Sequence, residues 1–259
     1  MKDKNDLLTI DGIQFGSRLI MGTSLFPNQK ILNQSLEISE TEIVTVAMRK
    51  INLRRDNDIV TELNNQYRFL PNTAGCFTKK EAILTAELAR ECMQTDWLKL
   101  ELISDEETLL PDPVELFDTS KELIKKKFKV FAYCSDDPIL CKRLEDVGCE
   151  AVMPLASPIG SGLGIRNVHN LEIIRKMCKG TVIVDAGIGK PSDAALAMEL
   201  GCDAVLLNSS VARSFNPPEM ANAMRLAVQS GRIGFQSGMI EKNKKAFNST
   251  TFKGKISNF

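Results

Sequence analysis

The sequence predicts an α/β protein, a single-domain (β/α)8 TIM barrel, and three observations carry that reading. Eight short apolar runs recur along the chain with amphipathic, helix-periodic stretches between them. Several of these runs are continuous Val/Ile/Leu segments, the pattern of parallel strands covered on both faces. The chain has 259 residues, and a barrel of this kind needs roughly 250. A doubly wound open sheet shows the same alternation but usually has about six strands, so the strand count favours the barrel.

Taken in order, the strands are expected at Arg18–Gly22, Glu42–Ala47, Arg68–Leu70, Trp97–Ile103, Lys129–Tyr133, Ala151–Pro154, Thr181–Asp185 and Ala204–Leu207. Thr78–Met93 repeats apolar residues at helical spacing. Asp112–Lys127 opens on an Asp-Pro entry signal and ends in lysines that suit a C-terminal turn. Asp136–Val147 and Lys190–Leu200 carry Asp and Pro near their starts, and Gly201 closes the second. Asn216–Ser230 opens on Asn-Pro-Pro, with Gly231 as its stop. No linker, repeat or low-complexity segment divides the chain, so one domain spans 1–259. A lysine-rich tail over 232–259, with Lys242, Lys244, Lys245, Lys253 and Lys255, is expected on the surface or partly disordered.

Composition narrows the function. The formal net charge is zero and the basic residues are scattered, which argues against nucleic acid or a membrane surface as partner. Aromatic residues make up 6%, too few to suggest base-stacking platforms. Seven cysteines, an odd number without C-x-x-C spacing, read as reduced thiols of a cytoplasmic protein. No secretory leader and no run of ~18 apolar residues is seen. A single histidine, His169, weakens any zinc site or Ser-His-Asp triad. Asp136-Asp137 reads as a helix cap rather than a metal site, and Cys76 as a small core residue rather than a catalytic thiol.

The anomaly is Lys99, in the middle of the apolar run Trp97-Leu98-Lys99-Leu100-Glu101-Leu102-Ile103. Side chains at i and i+2 share a strand face, so Lys99 and Glu101 lie opposite Leu98, Leu100 and Leu102. On an edge strand this would be a surface ion pair. In a barrel the outward face meets helices and must be apolar, which turns Lys99 and Glu101 into the lumen. A desolvated lysine has a lowered pKa and becomes an amine nucleophile, the start of Schiff-base chemistry. Asp185, at the end of the seventh strand, is a further acid/base candidate at the same mouth.

Barrel enzymes often hold a phosphate on the loops after strands seven and eight. Here strand seven is followed by Asp185-Ala186-Gly187-Ile188-Gly189 and strand eight by Asn208-Ser209-Ser210. Strand six leads into Ser157-Pro158-Ile159-Gly160-Ser161-Gly162-Leu163-Gly164. Glycines let backbone N–H groups approach an anion closely, and a helix start favours one.

Leu70-Pro71-Asn72-Thr73-Ala74-Gly75, Leu98-Lys99-Leu100-Glu101, Leu110-Pro111-Asp112-Pro113, the Met153–Gly162 stretch, Val184–Gly189 and Val205–Ser209 together resemble thiazole synthase of thiamin biosynthesis. The resemblance runs from about Leu8 to Arg232. It implies a barrel enzyme that builds the thiazole phosphate of thiamin from 1-deoxy-D-xylulose 5-phosphate, dehydroglycine and sulfur. The sulfur arrives as a thiocarboxylate on a small sulfur-carrier protein, and another enzyme supplies the dehydroglycine. By the same resemblance Lys99 forms an imine with the sugar ketone, and Glu101 and Asp185 match proposed acid/base groups. Gly160, Ala186, Gly187, Asn208 and Ser209 match sugar-phosphate positions. The family commonly has threonine where this chain has Ser209, and either offers a hydroxyl. The resemblance also implies a homo-oligomer, often a tetramer. No step calls for a metal or other cofactor. A Schiff-base aldolase, another phosphate-binding barrel enzyme, or a non-catalytic subunit remain as other readings of the same residues.

Overall fold

The computed structural model describes residues 6–50, 63 and 66–250. It begins with an antiparallel hairpin, β1 (Leu8–Ile10) and β2 (Ile13–Phe15), turned by Asp11-Gly12. Eight parallel strands follow: β3 (Leu19–Gly22), β4 (Ile43–Ala47), β5 (Arg68–Asn72), β6 (Trp97–Leu100), β7 (Lys129–Cys134), β8 (Ala151–Pro154), β9 (Thr181–Asp185) and β10 (Ala204–Leu207). They pair in chain order, and β10 closes on β3 through Val205↔Leu19, Leu206↔Ile20 and Leu207↔Met21. The helices whose bounds fall within the described residues are α1 (Gln29–Ser39), α2 (Lys79–Met93), α3 (Pro113–Lys125), α4 (Pro138–Asp146), α5 (Val168–Met177), α6 (Pro191–Glu199), α7 (Ser209–Ala212) and α8 (Pro217–Ser237). The protein is therefore a (β/α)8 TIM barrel, as its eight apolar runs predict.

Helix starts follow the sequence signals. Asp112 accepts hydrogen bonds from the N–H groups of Val114 and Glu115, both at 2.9 Å, with Pro113 in the first turn. Asp137 accepts from Ile139 and Leu140 in the same way, so the Asp136-Asp137 pair supplies a cap. Thr78 and Glu81 form a reciprocal capping box on α2. His169 is exposed in the first turn of α5.

Strand parity sorts the core into two shells. Leu98, Leu100 and Leu102 are fully buried against the helices. The inward residues Ile20, Ile43, Leu70, Trp97, Phe131, Ala151, Met153, Ile183, Ala204 and Leu206 fill the lower lumen. The hairpin, which no sequence signal was used to predict, plugs that end with Leu8, Ile10 and Phe15. Its turn is fastened to the floor, because Trp97 Nε1 donates to Asp11 Oδ2 at 3.0 Å. The Arg68 guanidinium lies 4.7 Å from the centroid of the Trp97 ring.

Two boundaries differ from expectation by three residues or more. The strand expected over Trp97–Ile103 ends at Leu100; Thr73 takes over the pairing beyond it. The last helix runs through Gly231 to Ser237, so residues 232–237 are helical rather than tail. Gly231 serves close packing instead of capping: a Cβ there would lie 2.3 Å from the Ala195 carbonyl oxygen on α6. Arg232 is tied down, donating to Asp6 from Nε at 2.8 Å and Nη2 at 2.7 Å. Arg18 Nη2 donates to the same carboxylate at 2.8 Å. Residues 238–250, including Lys242, Lys244 and Lys245, are exposed and lie outside any helix or strand. Lys253 and Lys255 fall outside the described residues. No helix among the described residues is long and apolar enough to cross a membrane.

Candidate active site

A cavity of about 1150 Å³ opens at the C-terminal ends of the barrel strands. Every site residue expected from the sequence lines it: Lys99, Glu101 and Asp185 at its base, with Gly160, Ala186, Gly187, Asn208 and Ser209 from three loops. The barrel register is what assembles them, since they come from β6, β9 and the loops after β8, β9 and β10.

Lys99 and Glu101 point inward, as their two-residue spacing requires. The Lys99 ammonium sits 2.6 Å from Asp185 Oδ2 and 3.1 Å from Glu101 Oε1. All three are about 95% buried or more. The Tyr133 ring backs the lysine, 5.6 Å from Nζ to the ring centroid. Burial and the two nearby carboxylates hold the Tyr133 phenol protonated well above its usual range.

The sequence-based expectation of a lysine with lowered pKa is overturned. Burial does push Lys99 down, and it is the largest single influence. Asp185 and Glu101 together push it up by more, so the resting group is an ammonium held above the ordinary lysine value. A buried cation between two carboxylates is paired, not neutralised. To act as a nucleophile Lys99 must first give up a proton, and Asp185 is the nearest acceptor.

Glu101 lies beyond the end of β6 and is held by a side chain instead of a ladder. The fully buried Thr73 hydroxyl donates to the Glu101 carbonyl and accepts from the Glu101 N–H, both at 2.8 Å. The Thr73 N–H donates to the Lys99 carbonyl at 3.2 Å. Sequence reasoning singled out the Asn72-Thr73 motif but gave it no role, because its partners lie on another strand.

The glycine loops close over the site by direct backbone contact. Gly164 N–H donates to the Gly187 carbonyl at 2.8 Å, and Ser157 Oγ donates to that carbonyl at 3.3 Å. Gly187 has φ +73°, and a Cβ on it would lie 2.6 Å from the Ser157 backbone. Ala186 adopts φ +62°, a conformation that costs a non-glycine residue roughly 1–2 kcal/mol. Asp193 accepts the N–H groups of Gly189 and Lys190 at 3.0 and 3.1 Å. The N–H groups of Gly189 and Lys190 are therefore already engaged.

After β10, Asn208 Nδ2 donates to Ser24 Oγ at 3.0 Å. Asn208 packs on Gly22, where a Cβ would lie 2.6 Å from its own. Asn208 Oδ1 and Ser210 Oγ are buried without a hydrogen-bond partner among the described residues. Asn208 Oδ1 can only accept and so suits a ligand hydroxyl, whereas the Ser210 hydroxyl can donate to an anion. Cys76 does not line the cavity; its thiol is buried, lies 3.5 Å from Thr85 Oγ1 and is pushed up by burial.

The family model described as thiazole biosynthesis protein ThiG matches residues 9–251. The chain belongs to that family. Thiazole synthase of Geotalea uraniireducens (strain Rf4) is 48% identical over 259 residues, covering 99% of this chain and 100% of that one. Thiazole synthase of Sorangium cellulosum (strain So ce56) is 49% identical over 255 residues, covering 97% and 98%. Among solved structures, a chain of the Amycolatopsis orientalis BexX/CysO complex superposes with a TM-score of 0.83 at 25% identity, covering 93% of this chain and 99% of that one. The ThiG-family activity is that of a thiazole synthase, an enzyme of thiamin biosynthesis, and this is the function of the chain.

Proposed function

We propose that this chain builds thiazole phosphate on a sugar phosphate held as an imine of Lys99. The substrates are 1-deoxy-D-xylulose 5-phosphate, dehydroglycine, and sulfur from the C-terminal thiocarboxylate of a small sulfur-carrier protein. The observation that carries the reading is the Lys99–Asp185–Glu101 cluster at the base of a cavity roofed by glycine loops.

The loops and the Asn208-Ser209 turn hold the phosphate, which orients the ketone toward Lys99. Lys99 passes a proton to Asp185, and the free amine attacks C2. The C2 oxygen leaves as water, taking protons from the attacking nitrogen and from a carboxylic acid in the cluster. The protonated imine makes the C3–H bond acidic, and Glu101 and Asp185 carry the protons that move the carbonyl to C3. Sulfur and the imino acid then enter from the mouth. The BexX/CysO complex supports a protein partner of comparable role. A separate enzyme delivers dehydroglycine, the assembly is a homotetramer, and the compartment is the cytoplasm. Light scattering of the purified protein tests the tetramer.

The central test is trapping. Deoxyxylulose phosphate with borohydride gives a covalent adduct on the Lys99 peptide, absent in Lys99→Ala. Intact protein that yields no adduct under saturating sugar phosphate contradicts the imine. An aldolase would instead cleave or condense sugar phosphates without any sulfur-carrier protein.

A further inference from the structure

We propose that Asn72 is a further catalytic residue, whose side-chain amide donates a hydrogen bond to the substrate oxygen on the carbon next to the imine. This rests on Lys99 as the imine-forming residue. Asn72 ends β5, and the β5–β6 ladder pairs it directly with Lys99. Strand parity turns Leu70 into the apolar lumen and places Asn72 above it, on the cavity wall. The residue is 8% exposed.

Its Oδ1 accepts the Ala74 N–H at 3.1 Å. A backbone N–H is a donor only, so this bond fixes which end of the amide faces the turn. Nδ2 is the opposite end and carries two N–H donors, and no described residue accepts from it. The groups nearest the reaction are otherwise one cation, Lys99, and two carboxylates, Glu101 and Asp185. Asn72 adds a neutral donor held rigidly by its other end.

The chemistry has a use for such a donor. A carboxylate takes the C3 proton; that electron pair becomes the C2=C3 bond, and the iminium π pair moves onto nitrogen. A proton then returns to C2, the C3 hydroxyl proton passes to a carboxylate, and the carbonyl forms at C3. Lys99 is left bonded to C2 as a secondary amine, with no net oxidation. Negative charge grows on the C3 oxygen as its proton leaves, and a fixed N–H stabilises that charge more than it stabilises the starting hydroxyl.

Asn72→Asp tests this, because it keeps the shape and the acceptor for Ala74 but loses the donor. Full-length wild type and variant are mixed with deoxyxylulose phosphate in deuterated water and quenched with borohydride at increasing times. Solvent deuterium at C2 of the trapped Lys99 adduct reports the completed shift, and is expressed per adduct to remove any change in imine formation. The variant is expected to form adduct but to acquire C2 deuterium about 10²-fold more slowly, the usual cost of one such donor. Asn72→Ser, whose hydroxyl accepts from Ala74 but is too short to reach the substrate, should show the same loss if the Asp variant does not fold. A per-adduct rate within about twofold of wild type in either folded variant overturns the role of Asn72 and leaves Lys99 intact. Absence of any wild-type adduct overturns both.

Discussion

Two charge clusters sit at opposite ends of this barrel, one half-buried at the floor and one buried at the mouth, and they are assembled to opposite rules. At the floor one carboxylate, Asp6, serves two arginines, Arg18 and Arg232, and accepts three hydrogen bonds of 2.7–2.8 Å from them. At the mouth one ammonium, Lys99, serves two carboxylates. The floor cluster joins the segment ahead of the hairpin to the last helix and lines no part of the mouth cavity. The mouth cluster sets one lysine against two carboxyl groups and faces about 1150 Å³ of space. In barrels of this type the N-terminal face serves stability and the C-terminal face chemistry. The contrast shows how stoichiometry separates the two: excess cation pins a carboxylate in one ionised state, whereas excess carboxylate leaves a lysine with somewhere to send its proton.

Changing one carboxylate in each cluster should separate the two functions, and the largest effect is expected at the mouth. Asp185→Asn removes the nearest proton acceptor and should lower turnover by about 10²–10⁴-fold. It also removes the main electrostatic support of the ammonium. The pH midpoint for borohydride adduct formation should therefore move downward, toward the ordinary lysine value. An unchanged or higher midpoint would mean that Asp185 does not hold the charge on Lys99.

At the floor, Asp6→Asn should cost roughly 1–2 kcal/mol of stability, read from denaturant midpoints, and leave adduct formation unaltered. The sign with pH is fixed by the direction of the shift. The two arginines hold the Asp6 carboxyl below its ordinary 3.8. Its contribution is thus fully present above that pH and is lost as the pH falls through the lower folded value. The wild-type and variant stability curves should converge in strong acid and separate above it. The smallest effect is expected for Cys76→Ala, a buried thiol outside both clusters: about 1 kcal/mol of stability, with turnover within about twofold of wild type.

The barrel and its inward pair were legible because both depend on period alone. Eight apolar runs gave the strands, and the two-residue spacing of Lys99 and Glu101 gave their direction. The charge state of Lys99 was not legible, since it depends on Asp185, eighty-odd positions further along and opposed only once the barrel closes. Thr73 and Asn72 were missed for the same reason, as their chemistry lies across a strand boundary. The hairpin was a different omission. Leu8-Thr9-Ile10 and Ile13-Gln14-Phe15 alternate around an Asp-Gly turn, a local signal that identifies a hairpin. Gly231 misled because a glycine that stops a helix and one that admits a neighbouring backbone look identical in one dimension.

The hairpin plug has a kinetic consequence. With Phe15, Ile10 and Trp97 filling the lower lumen, the described residues leave the cavity open at the C-terminal ends of the strands. If the proposed imine forms on Lys99, the sugar phosphate is seated before anything that reacts above it, and the water released leaves past the glycine loops. On that proposal the order of addition follows from the architecture, and a slow later arrival leaves the first substrate as a covalent occupant, protected from loss.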